Sequence, residues 1–380
     1  MPKISKNKNK FLQIEGFLQE NYDLRFNAIT NDIECKLKRD SSFGAANENT
    51  IFRKLQHNKV KCSINDLVIL LRSDFVQKYN PLLAYFEGLK PWNLETDYIT
   101  EFANHVKAKN QERFNKHRKK MFVRTIACAL NDKIINKQAF IIVHSTQNSG
   151  KSSWVRYLCS PTLQSYYTEN LALNKDGLIA LTENFIINLD ELALLSKTQI
   201  DMIKSILSQE MVKVRHPYER KAKNQSRICS FFGSTNRGEF LSDETGNVRW
   251  LCFEIETIDW NYTRIPIDKV WSQAYMLYKN NFQYQLTVED IEENETLNKQ
   301  FIISTKEMEL IMKYFSPATK ENHNSFVTAT DVIEYLHNKV SSSFHISEVK
   351  IGKALKTLGF ERETKFNGKY TIKGYYINFF

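Results

Sequence analysis

The sequence predicts an α/β fold. A P-loop core, with a parallel sheet flanked by helices, follows a mainly helical N-terminal region and precedes a C-terminal winged helix. Three observations predict it. The stretch QAFIIVHSTQNSGKS (138–152) passes from an apolar run through a polar loop to Gly150-Lys151-Ser152 and an apolar helical stretch. A second apolar run, Asn184 to Leu189, ends in Asp190-Glu191 about 40 residues later. The last part of the chain reads helix, helix, hairpin.

Composition narrows the class. A chain of 380 residues is expected to hold two or three domains. Its 42% apolar and 25% charged residues are ordinary for a soluble globular protein. A net charge of +10 and a pI near 9.1 suggest a polyanionic partner, most simply nucleic acid, against the alternative of generic Lys/Asn/Ile richness. Six cysteines lack CxxC spacing, so they read as core thiols in a reducing, cytoplasmic compartment rather than a disulfide frame or zinc site. The basic start MPKISKNKNK has no apolar segment behind it, so no signal peptide is expected. No run of 18 apolar residues occurs, so no membrane span is expected.

Taken in order, residues 1–10 read as a disordered basic tail. Residues 11–105 read as an accessory domain. Within it, Tyr22 to Phe26 and Ile33 to Cys35 suggest a hairpin around Thr30-Asn31-Asp32, and Thr50 to Leu55 and Ser63 to Leu71 suggest helices, with Ser63 and Asp66 as an N-cap pair. No D-x-D pair of a polymerase-like metal site is present there. Residues 100–131 read as a long helix carrying Lys107, Lys109, Arg113, Lys116, Arg118, Lys119, Lys120 and Arg124. That face is either solvated or turned towards nucleic acid, and the solvated reading is preferred. Residues 106–135 would be a connector into a core at 136–260. A helical extension follows at 261–315, with Thr287 and Asp290 as a capping pair, and then a linker at 316–324. The unit at 325–380 has helices Ala329 to Val340 and Ser347 to Leu358, the second closed by Gly359. A type I′ hairpin at Asn367-Gly368 completes it.

The residues suggest their chemistry. Strand, loop, GK[ST] and helix form the context of a phosphate-binding loop, in which backbone N–H groups cradle phosphate oxygens. Ser145, Gln147, Asn148, Ser149, Gly150, Lys151, Ser152 and Ser153 would then hold ATP. Lys151 would neutralise the β and γ phosphates, and Ser152 would ligate Mg²⁺. Ser145 stands where the motif places its first glycine. Asp190 would bind the same Mg²⁺, and Glu191 would polarise the attacking water. Two strand-like runs, Met211 to Tyr218 and Arg227 to Phe232, flank a basic tip at 219–225. There Arg220, Lys221 and Lys223 would grip a DNA backbone. Asn236, at the end of a strand expected between the other two, would hold the catalytic water. Arg249, thirteen residues on, would serve as a finger in a neighbouring subunit, with Arg237 as its competitor. Lys350, Lys353 and Lys356 on the last helix, with Lys365, Lys369 and Lys373 on the hairpin, would contact duplex phosphates.

With these motifs in that order, the chain resembles the superfamily 3 helicases. It is more closely similar to the virulence-associated protein E family of phage and genomic-island replication proteins. The stretches that carry the resemblance are SGKSSW (149–154), INLDEL (187–192), VRHPYER (214–220) and GSTNRGEFLSDETGNVRW (233–250), with YDLRFN (22–27) and SDFVQKYNPLLAYFEGL (73–89) upstream. The C-terminal unit is similar to the winged helix that follows poxvirus-type primase–helicase cores. The resemblance implies an AAA+ core, a homo-oligomeric and hexameric ring, ATP and Mg²⁺ as cofactors, and movement along single-stranded DNA. By position it gives Lys151 and Ser152 to Walker A, and Asp190 and Glu191 to Walker B. It makes Asn236 the sensor, Arg249 the finger, and Arg220 and Lys221 the start of the pore hairpin tip, with Arg215 as a further phosphate sensor. A separate primase or host replication protein would be a partner, because no primase acids are found here. Three functions stay open: a replicative helicase of a phage, plasmid or genomic island; an ATP-switched origin-binding initiator that recruits a host helicase; and a phage-defence ATPase. The basic hairpin favours the first, since a pure switch has no use for it.

Overall fold

The computed structural model describes residues 9–169, 171–216, 221–241, 247–339, 347–366 and 368–380. The chain is a mixed α/β protein built on one largely parallel sheet. Its strands are β1 (Val106–Ala108), β2 (Ala139–Val143), β3 (Tyr167–Glu169), β4 (Ile186–Leu189), β5 (Ser230–Thr235) and β6 (Trp250–Ile258), in the order β1-β6-β2-β5-β4-β3. All pairs are parallel except β1 with β6.

The uninterrupted apolar runs have a simple cause. A strand covered on both faces has no solvent side to mark with polar residues. Every residue of β2, β4 and β5 is buried. Along β2, Phe140 and Ile142 enter one core, while Ala139, Ile141 and Val143 enter the other. Gly233 in β5 lets the strands close up: a Cβ there would lie 2.6 Å from the Leu189 carbonyl oxygen. The register pairs Ala139 with Phe231 and Trp250, and Val143 with Thr235 and Glu254. The C-terminal ends of β2, β5 and β6 therefore share one edge, and β5 lies between β2 and β4.

The long basic helix is the main correction. A separate helix, Tyr98–Asn104, and strand β1 precede α1 (Gln111–Leu130). Of the eight cations expected on a solvated face, Lys107, Lys109 and Lys116 are exposed, but α1 buries Arg113, Arg118, Lys120 and Arg124. It is wedged between the sheet and the helix Ile267–Lys279: Phe114 meets Phe140 and Phe253, and Phe122 meets Trp271. Arg113, Lys116 and Lys120 find polar partners inside the protein, whereas the Arg118 guanidinium is met by rings. Arg113 donates to the Cys252 carbonyl (3.0 Å) and to Asn294 Oδ1 (2.7 Å). Lys116 and Lys120 both donate to Asp290. The Arg118 guanidinium lies over Phe102 and Trp154, 4.4 and 4.6 Å from their centroids. Asp290 also forms the expected capping box with Thr287, so one carboxylate caps a helix and neutralises two lysines of another.

In the N-terminal region, Tyr22–Asn27 and Asp32–Leu37 form the hairpin, with Asn31 at φ +58 in its turn. They lie in a small four-stranded sheet among helices, including Ile64–Leu71 with the Ser63–Asp66 capping box. At the other end of the chain, the helices Ala329–Lys339 and Glu348–Thr357 pack on the strands Arg362–Phe366 and Thr371–Phe379. Gly359 ends the second helix at φ +84, whereas Ser347 makes no side-chain cap bond. Pairing begins at Phe366 with Thr371, so four residues rather than two close the hairpin, and Asn367 among them lies outside the described residues. Met308, Ile311 and Phe315 enter this C-terminal core, so the end of the expected extension contributes to it. All six cysteines are free thiols, four of them buried.

Candidate functional site

The edge where β2, β4 and β5 end gathers the polar residues. The loop His144 to Gly150 leaves β2 and enters α2 (Lys151–Tyr157), with Asn148 at φ +57 and Gly150 at φ +85. Ser145, Gln147 and Asn148 are exposed; Ser149, Ser152 and Ser153 are half-buried. The Lys151 ammonium is buried inside the loop. It donates to the carbonyls of His144 (3.2 Å) and Thr146 (2.9 Å) and to Ser149 Oγ (2.9 Å). Burial pulls its pKa below the ordinary lysine value, and the nearby Asp190 carboxylate opposes that shift.

Asp190 is the hub of the site. Its Oδ1 accepts from Ser152 Oγ at 2.8 Å, from Ser234 Oγ, and from the Glu191 backbone N–H at 3.1 Å. Glu191 is exposed and turns at φ +50, a conformation uncommon for a residue with a side chain. Asn236 follows β5, half-buried on the same edge. Strand order explains why residues so far apart in sequence meet: β5 places Ser234 between the loop after β2 and the carboxylate after β4. Ser234 is a site residue that sequence reasoning does not single out. Its only signal is a hydroxyl two residues before Asn236, on a strand expected at the centre.

Arg249 stands elsewhere. It precedes β6, whose first residue pairs with the first residue of β2, so it lies at the opposite edge of the sheet from Lys151. Its Nε donates to Ser208 Oγ at 2.7 Å, at the end of helix α3 (Lys197–Ser208). Arg237 and Arg215 are exposed.

The basic hairpin differs in register from its expected form. Met211–Val214 pairs antiparallel with Lys223–Ser226. Arg227 is not a strand residue of the hairpin: it is buried and donates to the carbonyls of Asn136 and Leu207. Lys223 therefore stands opposite Val214 within a strand, and Lys221 is exposed in the connection. Arg220 lies outside the described residues, as do the neighbouring 217–219 and 242–246. In the C-terminal unit, Lys350, Lys353, Lys356 and Lys369 are exposed, and Lys350 Nζ lies 3.7 Å from Glu307.

A residue beyond those expected borders the loop. Trp260, in the 3₁₀ turn Trp260–Arg264 just past β6, packs its indole on Gly150: a Cβ at that glycine would lie 3.0 Å from Trp260 Cζ2.

Fold and site thus define a class: a mixed α/β protein whose parallel sheet carries a buried lysine, two hydroxyls and a carboxylate at one edge. The model of the virulence-associated protein E-like domain matches residues 87–303, and the chain belongs to that family. The fold is similar to the apo structure of the NrS-1 C-terminal region (305–718), with a TM-score of 0.54 at 10% identity, over 98% of this chain and 100% of that one. The A-form apo structure of the same region gives a TM-score of 0.51 at 12% identity over the same shares. No curated protein sequence matches the chain. Among the described residues, no helix is long and apolar enough to cross a membrane.

Proposed function

We propose that the chain is an ATP-dependent, ring-forming superfamily 3 DNA helicase with an AAA+ core, acting in replication of a phage, plasmid or genomic island. The observation that carries this reading is the meeting of Ser152, Asp190 and Ser234 beside the buried Lys151 at the edge of the parallel sheet. The donor set suits Mg²⁺, a hard cation that prefers oxygen: a hydroxyl and a carboxylate stand within hydrogen-bond distance of one another. Ser152 and Asp190 would hold that ion, which would neutralise charge on the β and γ phosphates when bound.

The protein's own residues would do the rest. Lys151, satisfied here by loop carbonyls, would exchange them for phosphate oxygens. Glu191 would polarise the attacking water and Asn236 would orient it for in-line displacement at the γ phosphorus, with ADP as leaving group. Arg249 lies away from its own loop, as a residue acting on a neighbour's nucleotide must. The 211–226 hairpin would draw single-stranded DNA through a homo-hexamer, and the exposed C-terminal lysines would hold duplex. The C-terminal unit supports a winged helix by its order of helix, helix and hairpin.

ATP hydrolysis across a protein-concentration series, with and without single-stranded DNA, tests this. The rate is expected to rise with DNA and more steeply than linearly with protein. Lys151→Ala is expected to lower it on the order of 10²-fold or more. A rate indifferent to DNA, or strand displacement by Lys151→Ala equal to wild type, would overturn the reading.

A further inference from the structure

Trp260 is the exposed tryptophan at the site. Trp154, Trp250 and Trp271 are fully buried, whereas Trp260 is 55% exposed. An indole left in water beside a polar loop forgoes a large burial free energy unless another surface covers it. It is also held firmly. The turn is pinned by Asp259, which caps Asn261 and contacts His105 Nδ1 at 2.8 Å. Helix α2 fastens it from the other side, through the Tyr157 hydroxyl on the carbonyls of Thr263 and Ile265. Behind the indole, Tyr262 stacks at 6.0 Å, backed in turn by Phe102 and Tyr157.

Strand order fixes what such a platform would face. Asp190 and Ser234 lie on the β5–β4 side of the loop, so the terminal phosphate of a bound nucleotide belongs on that side. A phosphate chain anchored there, beside Ser152, would run back along the start of α2, and its nucleoside would emerge on the side bordered by β6 and the turn after it. We propose that Trp260 is the platform on which the purine base of the nucleotide stacks, and that Gly150 is bare of a Cβ to seat the indole. This rests on the nucleotide-binding reading above and adds the base contact that no motif of the sequence supplies.

Equilibrium binding of MgATP and of magnesium tripolyphosphate, which has no base, separates the possibilities on the full chain. ATP is expected to change wild-type indole emission and tripolyphosphate is not, and the change should vanish in Trp260→Phe. Trp260→Leu should bind ATP roughly tenfold more weakly, the size expected when one base–aromatic stack is removed, with tripolyphosphate affinity unchanged. Trp260→Phe should keep most of the ATP affinity, which also controls for folding. Equal losses for ATP and tripolyphosphate would make Trp260 a mere support of the loop and overturn the proposal. So would ATP affinity that stays at the wild-type level in Trp260→Leu while Lys151→Ala loses it. If wild type binds neither compound, the nucleotide-binding reading itself fails.

Discussion

At the residue scale, the site turns on how one carboxylate oxygen is held. Asp190 Oδ1 accepts from two hydroxyls and one N–H, which fixes its orientation before any cation arrives. On the proposed reading Ser152→Ala would remove a Mg²⁺ ligand, whereas Ser234→Ala would remove only a support of Asp190. The latter is expected to raise the Mg²⁺ concentration for half-maximal hydrolysis roughly 10- to 100-fold, read from a Mg²⁺ titration; an unchanged half-point would make Ser234 structural only. His117 is expected to weaken the fold in acid. It is fully buried, neither ring nitrogen has a hydrogen-bond partner, and burial with the Arg113 charge beside it holds its pKa down to about 3. The folded protein keeps this imidazole neutral, while the unfolded chain takes up its proton below about pH 6.5. Stability should therefore fall as pH drops from about 6.5 towards 3, by up to about 1.4 kcal/mol per unit. Asp66 and Asp97, both held to about 2, lose their contributions only below the ordinary carboxylate range. Urea midpoints of wild type and His117→Phe between pH 7 and 4.5 separate this contribution from that of Glu183, whose carboxyl burial shifts upward, and the variant should show the flatter slope.

At the scale of elements, the apolar strands and capping boxes are legible because their signals are local. Two consecutive burial patterns, or a Ser and an Asp three residues apart, need no partner from elsewhere. Helix α1 misleads for the opposite reason. Its cations look solvated until Asp290, Asn294 and the Cys252 carbonyl, all far along the chain, come to meet them. The hairpin shows a milder version. The strand-like Arg227 to Phe232 run looks like a partner strand, but Arg227 is drawn inward by four carbonyls and the core strand begins at Ser230. Lys221→Ala with Lys223→Ala is expected to abolish strand displacement. It should also lower the log–log salt slope of single-strand binding by about 0.7 for each phosphate no longer neutralised. A slope equal to wild type would remove these lysines from the DNA path.

At the scale of the molecule, Arg249 and Lys151 lie at opposite edges of one sheet. If the finger acts across an interface, two inactive variants should repair one another. Lys151→Ala and Arg249→Ala mixed in equal amounts should regain roughly a quarter of the wild-type sites, the share of head-to-tail interfaces that pair an intact lysine with an intact arginine. No recovery after subunit exchange would place Arg249 in a purely structural role, on Ser208.

The sequence by itself determined the elements and their order: the buried strands, the loop ending in Gly150-Lys151-Ser152, the Asp190-Glu191 terminus, and the final helices and hairpin. These are set by short-range periodicity and turn chemistry, which a linear reading can count. Only the tertiary structure decided which edge of the sheet each residue reaches. It brought Ser234 onto Asp190 and Trp260 onto Gly150, sent Arg249 to the far edge, and buried the cations of α1. The reason is physical. Strand order and through-space compensation depend on contacts between residues tens to hundreds of positions apart, and nothing in the local pattern encodes which distant partner will satisfy a given charge or ring.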